Sequence, residues 1–168
     1  MQEILPLVDG KFRTKAARDY RLLEGFSMGG FGAGRLGMKY HAHFGAISML
    51  ASGPLQSTLT IEDGPAVNAA LRPLLLQRLF GGDQARFLRE SPRGMALLYG
   101  DAVRAATKLR MAIGSDDFTL PANEDFSHYL DSLTIPHDFT IVPGVGHDAR
   151  ALLDKLGFGF HRRFFSVS

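Results

Sequence analysis

The 168-residue sequence has no cysteine and no long apolar run. The absence of cysteine excludes disulfide bonds, a thiolate nucleophile and zinc held by thiolates. No stretch approaches the roughly 18 consecutive apolar residues of a membrane-spanning helix. The first residues, MQEILP, lack the basic start and apolar core of a signal peptide. We therefore expect a protein without membrane contact, located in the cytoplasm by default.

An excess of charge of one sign is also missing. Nineteen Lys and Arg residues stand against seventeen Asp and Glu, for a net charge of +2. The basic residues are scattered and form no dense stripe of the kind that follows a phosphate backbone, so nucleic acid is not an expected partner. The length predicts a single domain over residues 1–168, long enough to bury its own core.

Nineteen glycines are present, and they cluster around Ser27, before Asp83 and before His147. Between the clusters, short apolar runs alternate with longer helical patterns, which is typical of a parallel sheet with crossover helices. The predicted strands are Tyr20–Phe26, Phe44–Ala51, Leu109–Ile113 and Asp138–Pro143. The predicted helices are Gln2–Asp9, Gly29–Tyr40, Val67–Phe80, Asp83–Glu90, Met95–Ala106, Pro121–Leu133 and Ala149–Leu156. We expect the aromatic tail from Phe158 to Phe165 to pack on the sheet.

The segment Gly25-Phe26-Ser27-Met28-Gly29 matches the pattern G-x-S-x-G directly after a predicted strand and directly before a predicted helix. Such a turn holds a serine in strained geometry, and the flanking glycines remove side chains that would clash. The helix then directs its amino end at the serine oxygen, where N–H groups and the helix dipole favour negative charge. The sequence therefore predicts Ser27 as a nucleophile and the Met28 N–H as the first oxyanion donor.

A serine nucleophile needs an imidazole to take its proton and a carboxylate to orient that imidazole. Of the six histidines, His147 follows the last predicted strand through a flexible loop, at the edge where open α/β sheets place their sites. The pair His41 and His43 is the one alternative with metal-ligand spacing, and we expect it to face solvent. The acid should follow the preceding strand, where spacing alone does not choose between Asp116 and Asp117.

Three segments of the chain together resemble the α/β-hydrolase esterases of the esterase D and feruloyl esterase type, the carbohydrate-esterase family 1 group. They are EGFSMGGFGAGRLGMKYHAHFGAISMLASGPL, FLRESPRGMAL and LRMAIGSDDFTLPANEDFSHYLDSLTIPHDFTIVPGVGHD. The resemblance runs from about Leu22 to Asp148 and implies a triad of Ser27, Asp117 and His147. It places Asp148 in the first turn of the last helix.

The sequence departs from this family before the nucleophile. Family members carry further strands there, and a loop that donates the second oxyanion N–H, whereas Ser27 has 26 residues before it. We therefore expect a partial α/β-hydrolase fold of about four mostly parallel strands with helices on both faces. The second oxyanion donor and one wall of the acyl pocket are not expected within this segment.

The leading hypothesis is a serine carboxylic ester hydrolase that needs no cofactor or metal and acts on short-chain or aromatic, feruloyl-like esters. The helical segment from Pro65 to Glu90 is expected to cover the site, with its leucines, Phe80 and Phe87 either facing an acyl group or packing as ordinary core. Two alternatives stay open: a weakly active or non-catalytic unit that serves folding or interaction, and an acyltransferase with the same triad.

The strand Tyr20–Phe26 is predicted to lie at an unprotected sheet edge, and apolar strand edges are pairing sites. We expect two chains to form a dimer across this edge, unless the amino-terminal helix covers it. Sedimentation velocity at micromolar concentration should therefore detect a dimer. A stable monomer at that concentration would contradict the pairing of two chains.

Overall fold

The computed structural model describes residues 1–64 and 67–165. Its centre is a parallel sheet in the order β1-β2-β3-β4, formed by Leu22–Phe26, Ala46–Leu50, Lys108–Gly114 and Asp138–Val142. Each strand follows the previous one by a crossover that contains at least one helix. The four-stranded α/β architecture predicted from the sequence is confirmed.

Eight α-helices are described: α1 (Ile4–Lys11), α2 (Met28–Lys39), α3 (Leu71–Phe80), α4 (Gln84–Glu90), α5 (Pro92–Ala106), α6 (Leu120–Ser132), α7 (Ala149–Leu156) and α8 (Gly159–Phe165). Two of them begin three or more residues away from the predicted start. α3 begins at Leu71 instead of Val67. α5 begins at Pro92 instead of Met95, because Ser91 caps it by accepting a hydrogen bond from the Gly94 N–H. No helix within the described residues is both long and apolar enough to cross a membrane.

One face of the sheet packs against α2, α5 and α6. The main core lies there, with Ile47, Met49 and Met111 of the strands fully buried among side chains of the three helices. α2 approaches β2 closely because Gly34 and Gly37 face Met49 and Ile47 of that strand. A Cβ added at Gly37 would lie 2.5 Å from Cγ1 of Ile47. This agrees with the small-residue composition from which tight packing of this helix was expected.

The opposite face packs against α7 and α8. In α8 the side chains of Phe160 and Phe164 are buried and contact Ala46 and Leu22, so the aromatic tail does pack on the sheet.

A row of polar residues crosses three strands under α8. Glu24, Ser48 and Arg110 are neighbours in register, and the Arg110 guanidinium donates to both Ser48 and Glu24 (3.0 and 2.8 Å). Burial lowers the pKa of Arg110, and the charge and hydrogen bond of Glu24 oppose that shift. The prediction of a buried apolar strand over Tyr20–Phe26 is therefore wrong in part: β1 starts at Leu22, is half-buried throughout and carries a charge.

Within residues 1–64 and 67–165, β1 lies at one edge of the sheet and pairs with β2 alone. α1 contributes no buried residue, and Ile4, Leu7 and Phe12 are well over half exposed. An ion pair between Asp9 and Arg21 links α1 to the segment just before β1. The pairing of two chains at this edge stays a prediction.

The close packing of α2 on β2 predicts opposite effects of alanine at two of its glycines. Gly37→Ala should lower the free energy of unfolding by about 1–3 kcal/mol, because the new methyl group meets the rigid, fully buried side chain of Ile47. Gly32→Ala is the matched control, since an added Cβ there meets no atom within 4 Å. It should raise stability by about 0.5–1 kcal/mol through better helix propensity. Urea unfolding measures both, and equal effects would contradict the packing.

Candidate active site

Ser27 lies at the turn between β1 and α2 in a conformation that non-glycine residues seldom adopt, with φ 57° and ψ −121°. Such a conformation persists only where the surroundings impose it. The Ser27 N–H donates to the Leu50 carbonyl (2.8 Å), and the Ser27 carbonyl accepts from the N–H groups of Phe31 and Gly53 (3.1 and 3.2 Å). The turn is thereby tied to the end of β2 and to the loop that follows it.

Close approach at this turn requires glycine at two positions. A Cβ added at Gly25 would lie 2.1 Å from the Gly29 carbonyl oxygen, and one at Gly30 would lie 2.0 Å from Ser52 Oγ. At Gly29 an added Cβ would meet no atom within 4 Å. The expectation that both glycines of the motif relieve clashes therefore holds for Gly25 and is wrong for Gly29.

The structure brings Ser27, His147 and Asp117 together in one hydrogen-bonded chain. Nδ1 of His147 lies 2.8 Å from Oδ2 of Asp117, and its Nε2 lies 2.9 Å from Oγ of Ser27. Because a carboxylate only accepts hydrogen bonds, Nδ1 carries the proton and Nε2 is free to accept one from the serine hydroxyl. This is the arrangement in which an imidazole serves as a base toward a serine.

The two aspartates that spacing left open occupy different environments. Asp117 is buried, and its side chain is turned to His147. Asp116 is exposed and accepts a hydrogen bond from the Ser115 hydroxyl (2.7 Å). Adjacent residues of a turn point in different directions, so only one of the two meets the imidazole.

Two aromatic rings flank the imidazole of His147. Phe26 and Phe118 lie with ring centroids 4.7 and 4.6 Å from that of His147. They restrict the orientation of the imidazole while leaving its edge toward Ser27 open. Asp148 accepts from the N–H groups of Arg150 and Ala151, so it is the N-cap of α7 and not a residue of its first turn.

Met28 is the first residue of α2, directly after Ser27. The N–H groups of the first helical turn have no partner within the helix and point out of its amino end, so they are available to an anion there. The side chain of Met28 is 52% exposed at the mouth of the site.

The remaining histidines lie away from this chain of hydrogen bonds. His41 packs against Tyr99, and His43 is exposed. No group of three or more His, Asp or Glu side chains placed to hold a metal occurs among the described residues.

A second serine–histidine contact lies inside the fold. Oγ of Ser127 is 2.7 Å from Nε2 of His137, and Nδ1 of His137 is 3.0 Å from the Ile135 carbonyl. Both side chains are buried. No pattern in the sequence indicates this pair.

A cavity of about 350 Å³ opens beside Ser27 and His147. Most of its wall is apolar, formed by Met28, Pro54, Val67, Leu71, Leu75, Phe118 and Ala122, with Ser52, Gln56, Asn68, Arg72 and Thr119 as its polar residues. Of the leucines in the segment predicted to cover the site, Leu71 and Leu75 line the cavity. Its aromatic residues do not line the cavity: Phe80 and Phe87 pack with Leu59 in a separate buried cluster. Pro65, where that predicted segment begins, lies outside the described residues.

The sequence model of the Esterase family matches residues 1–124. Two curated proteins of Mycobacterium tuberculosis, Esterase MT1326 of strain CDC 1551 and Esterase Rv1288 of strain H37Rv, are each 32% identical over 171 residues. The match covers 92% of this chain and 36% of each relative. The chain therefore spans about a third of the length of these relatives.

Solved structures share the fold. A ferulic acid esterase superposes with a TM-score of 0.72 at 25% identity, covering 98% of this chain and 60% of the other. The S-formylglutathione hydrolase FrmB of Staphylococcus aureus superposes with a TM-score of 0.69 at 21% identity, covering 97% and 60%. The resemblance to α/β-hydrolase esterases is thus confirmed over part of their length. With a family match over most of its residues, the chain belongs to the Esterase family.

Proposed function

We propose that this chain carries the catalytic centre of a serine carboxylic ester hydrolase. The observation that carries the proposal is the hydrogen-bonded chain of Asp117, His147 and Ser27 at the carboxyl edge of the sheet. Membership of the Esterase family and the fold shared with a ferulic acid esterase support the same reaction class. Ser27 is the nucleophile, His147 the general base and acid, and Asp117 the group that orients and stabilises His147.

The acylation step follows from these positions. Oγ of Ser27 attacks the ester carbonyl carbon while its proton passes to Nε2 of His147. The carbonyl oxygen becomes an oxyanion, which the Met28 N–H at the amino end of α2 stabilises. The tetrahedral intermediate then breaks the bond to the alkoxy oxygen, and the imidazolium returns the proton to the departing alcohol. The acyl group remains on Ser27.

Deacylation repeats the proton transfers with water. The water oxygen attacks the acyl carbon while His147 takes a proton from the water, and a second tetrahedral intermediate forms. Its collapse releases the carboxylic acid, and the proton on Nε2 returns to Oγ of Ser27. No cofactor is required in either step.

The cavity beside Ser27 favours an apolar acyl group. Leucine side chains of α3 and the ring of Phe118 line it, and its volume of about 350 Å³ exceeds the need of an acetyl group. We propose short-chain and aromatic esters as substrates, with p-nitrophenyl acetate and a methyl hydroxycinnamate as first assays.

A fluorophosphonate probe should label Ser27 and no other serine. Ser27→Ala should abolish labelling and lower p-nitrophenyl acetate hydrolysis by at least about 10³-fold, because no other residue replaces the nucleophile. Ser127→Ala is the matched control, since it removes the other hydroxyl bonded to a histidine. Peptide mass spectrometry locates the adduct. Folded wild-type protein without an adduct on Ser27 would refute the proposed function.

The two adjacent aspartates allow a direct test of the acid. Asp117→Asn should lower kcat by about 10³- to 10⁴-fold, because the imidazole loses the carboxylate that fixes its tautomer and stabilises its charged form. Asp116→Asn should leave kcat within about twofold, since a surface substitution away from the site changes little. Steady-state kinetics on both variants measures the difference. Equal losses would contradict the assignment of Asp117.

A further inference from the structure

We propose that Thr119 and Asn123 are positioning residues that form a bracket between the acid turn and the nucleophile turn. Thr119 orients the carboxylate of Asp117. Asn123 connects the start of α6 to the loop after β2, and that loop is hydrogen-bonded to Ser27. The roles given to Ser27 and Asp117 rest on the proposed function. The bracket itself is a set of buried and partly buried hydrogen bonds that is testable without turnover.

Thr119 supplies both hydrogen bonds that the structure places on the second carboxylate oxygen of Asp117. Its N–H and its hydroxyl each donate to Oδ1 at 2.8 Å, while Oδ2 accepts from His147. Two donors on one oxygen fix the rotation of the carboxylate about its Cβ–Cγ bond. They also supply hydrogen bonds to a carboxylate whose side chain is fully buried.

The hydroxyl of Thr119 donates to Asp117 and makes no hydrogen bond to the first turn of its own helix. Thr119 is the N-cap residue of α6, a position where threonine ordinarily accepts a hydrogen bond from an N–H of the first turn. The structure shows no such side-chain cap. The usual side-chain cap of the helix is thus missing while the hydroxyl faces Asp117. Departures from the usual local preferences of a sequence concentrate at functional sites.

Asn123 connects this turn to a distant part of the chain. Its Nδ2 donates to the carbonyls of Thr119 and Ser52 (2.9 and 2.8 Å), and its Oδ1 accepts from the Ser52 N–H (3.2 Å). Asn123 is fully buried, and its helix propensity is poor in a helix interior. Every polar atom of its side chain is used to join two segments that lie 71 positions apart.

The connection continues to the nucleophile through one further residue. Ser52 precedes Gly53, whose N–H donates to the carbonyl of Ser27. Displacement of Ser52 therefore moves a hydrogen-bond donor of the strained serine turn. Asn123 thus helps to set the distance between the acid and nucleophile turns, which His147 must bridge with two hydrogen bonds.

The Nδ1 proton of His147 reports on the bracket in the absence of substrate. A proton shared with a carboxylate resonates far downfield of the backbone amides in the NMR spectrum, and its absence in His147→Gln assigns it. Thr119→Val should shift or broaden this resonance, because the isosteric side chain lacks the hydroxyl. Thr119→Ser restores the donor and should preserve the wild-type signal.

Asn123→Leu tests the second half of the bracket, and Ser127→Ala is its control. Ser127 lies on the same helix, is buried and makes one hydrogen bond to a histidine outside the bracket. Asn123→Leu should perturb the His147 resonance, and Ser127→Ala should leave it unchanged. Thermal unfolding shows which variants are folded. If Asn123→Leu does not fold, the result for Thr119→Val alone decides whether the bracket exists.

In the active enzyme, Thr119→Val should lower kcat about tenfold with KM within about twofold, because orientation and not substrate binding is lost. A displaced resonance in protein that neither turns over esters nor labels at Ser27 would support the bracket and refute the proposed function. An unchanged resonance in folded Thr119→Val, or an equal shift in Ser127→Ala, would overturn the bracket.

Discussion

The candidate site depends on the parallel pairing of the strands. Because β1, β3 and β4 run in the same direction within one sheet, the segments that follow them emerge at the same edge. Ser27, Asp117 and His147 follow these three strands and come within hydrogen-bond distance there, although the first and last are 120 positions apart. β2 lies between β1 and β3 and receives the backbone N–H of Ser27. If any of these three strands were antiparallel to the others, the segment that follows it would emerge at the opposite edge of the sheet.

The features predicted from the sequence are those with a local signal. The turn at Ser27 has a local signal, because Gly25 allows the close approach of the Gly29 carbonyl and a helix follows at once. The four parallel strands follow from short apolar runs separated by helical patterns, and His147 stands out because a glycine-rich loop precedes it. The sequence does not distinguish Asp116 from Asp117 as the acid, because both have the same chemistry and the choice depends on the direction of a turn.

The features missed from the sequence depend on contacts between distant segments. Asn123 resembles any polar residue of a surface helix until Ser52 is placed beside it. The polar residues Glu24, Ser48 and Arg110 lie on three separate strands. Only the register of these strands shows that the three side chains are neighbours. Likewise, Leu75 and Phe80 have the same apolar character, but only Leu75 faces the cavity. Pairwise compensation of buried polar groups is a property of the folded chain.

The contact between Ser127 and His137 bears on what makes a serine reactive. By distance alone it is shorter than the contact between Ser27 and His147, and its imidazole also presents Nε2 to the hydroxyl. Its Nδ1 lies 3.9 Å from Oδ1 of Asp131, beyond hydrogen-bond distance, and 3.0 Å from the neutral Ile135 carbonyl. Ser127 is buried on α6, so its hydroxyl has little room beside it for the carbonyl carbon of a small molecule. The two contacts thus differ in the distance of a carboxylate from Nδ1 and in the space beside the hydroxyl more than in the separation of hydroxyl and imidazole, and the buried pair is a structural tie between α6 and the segment before β4.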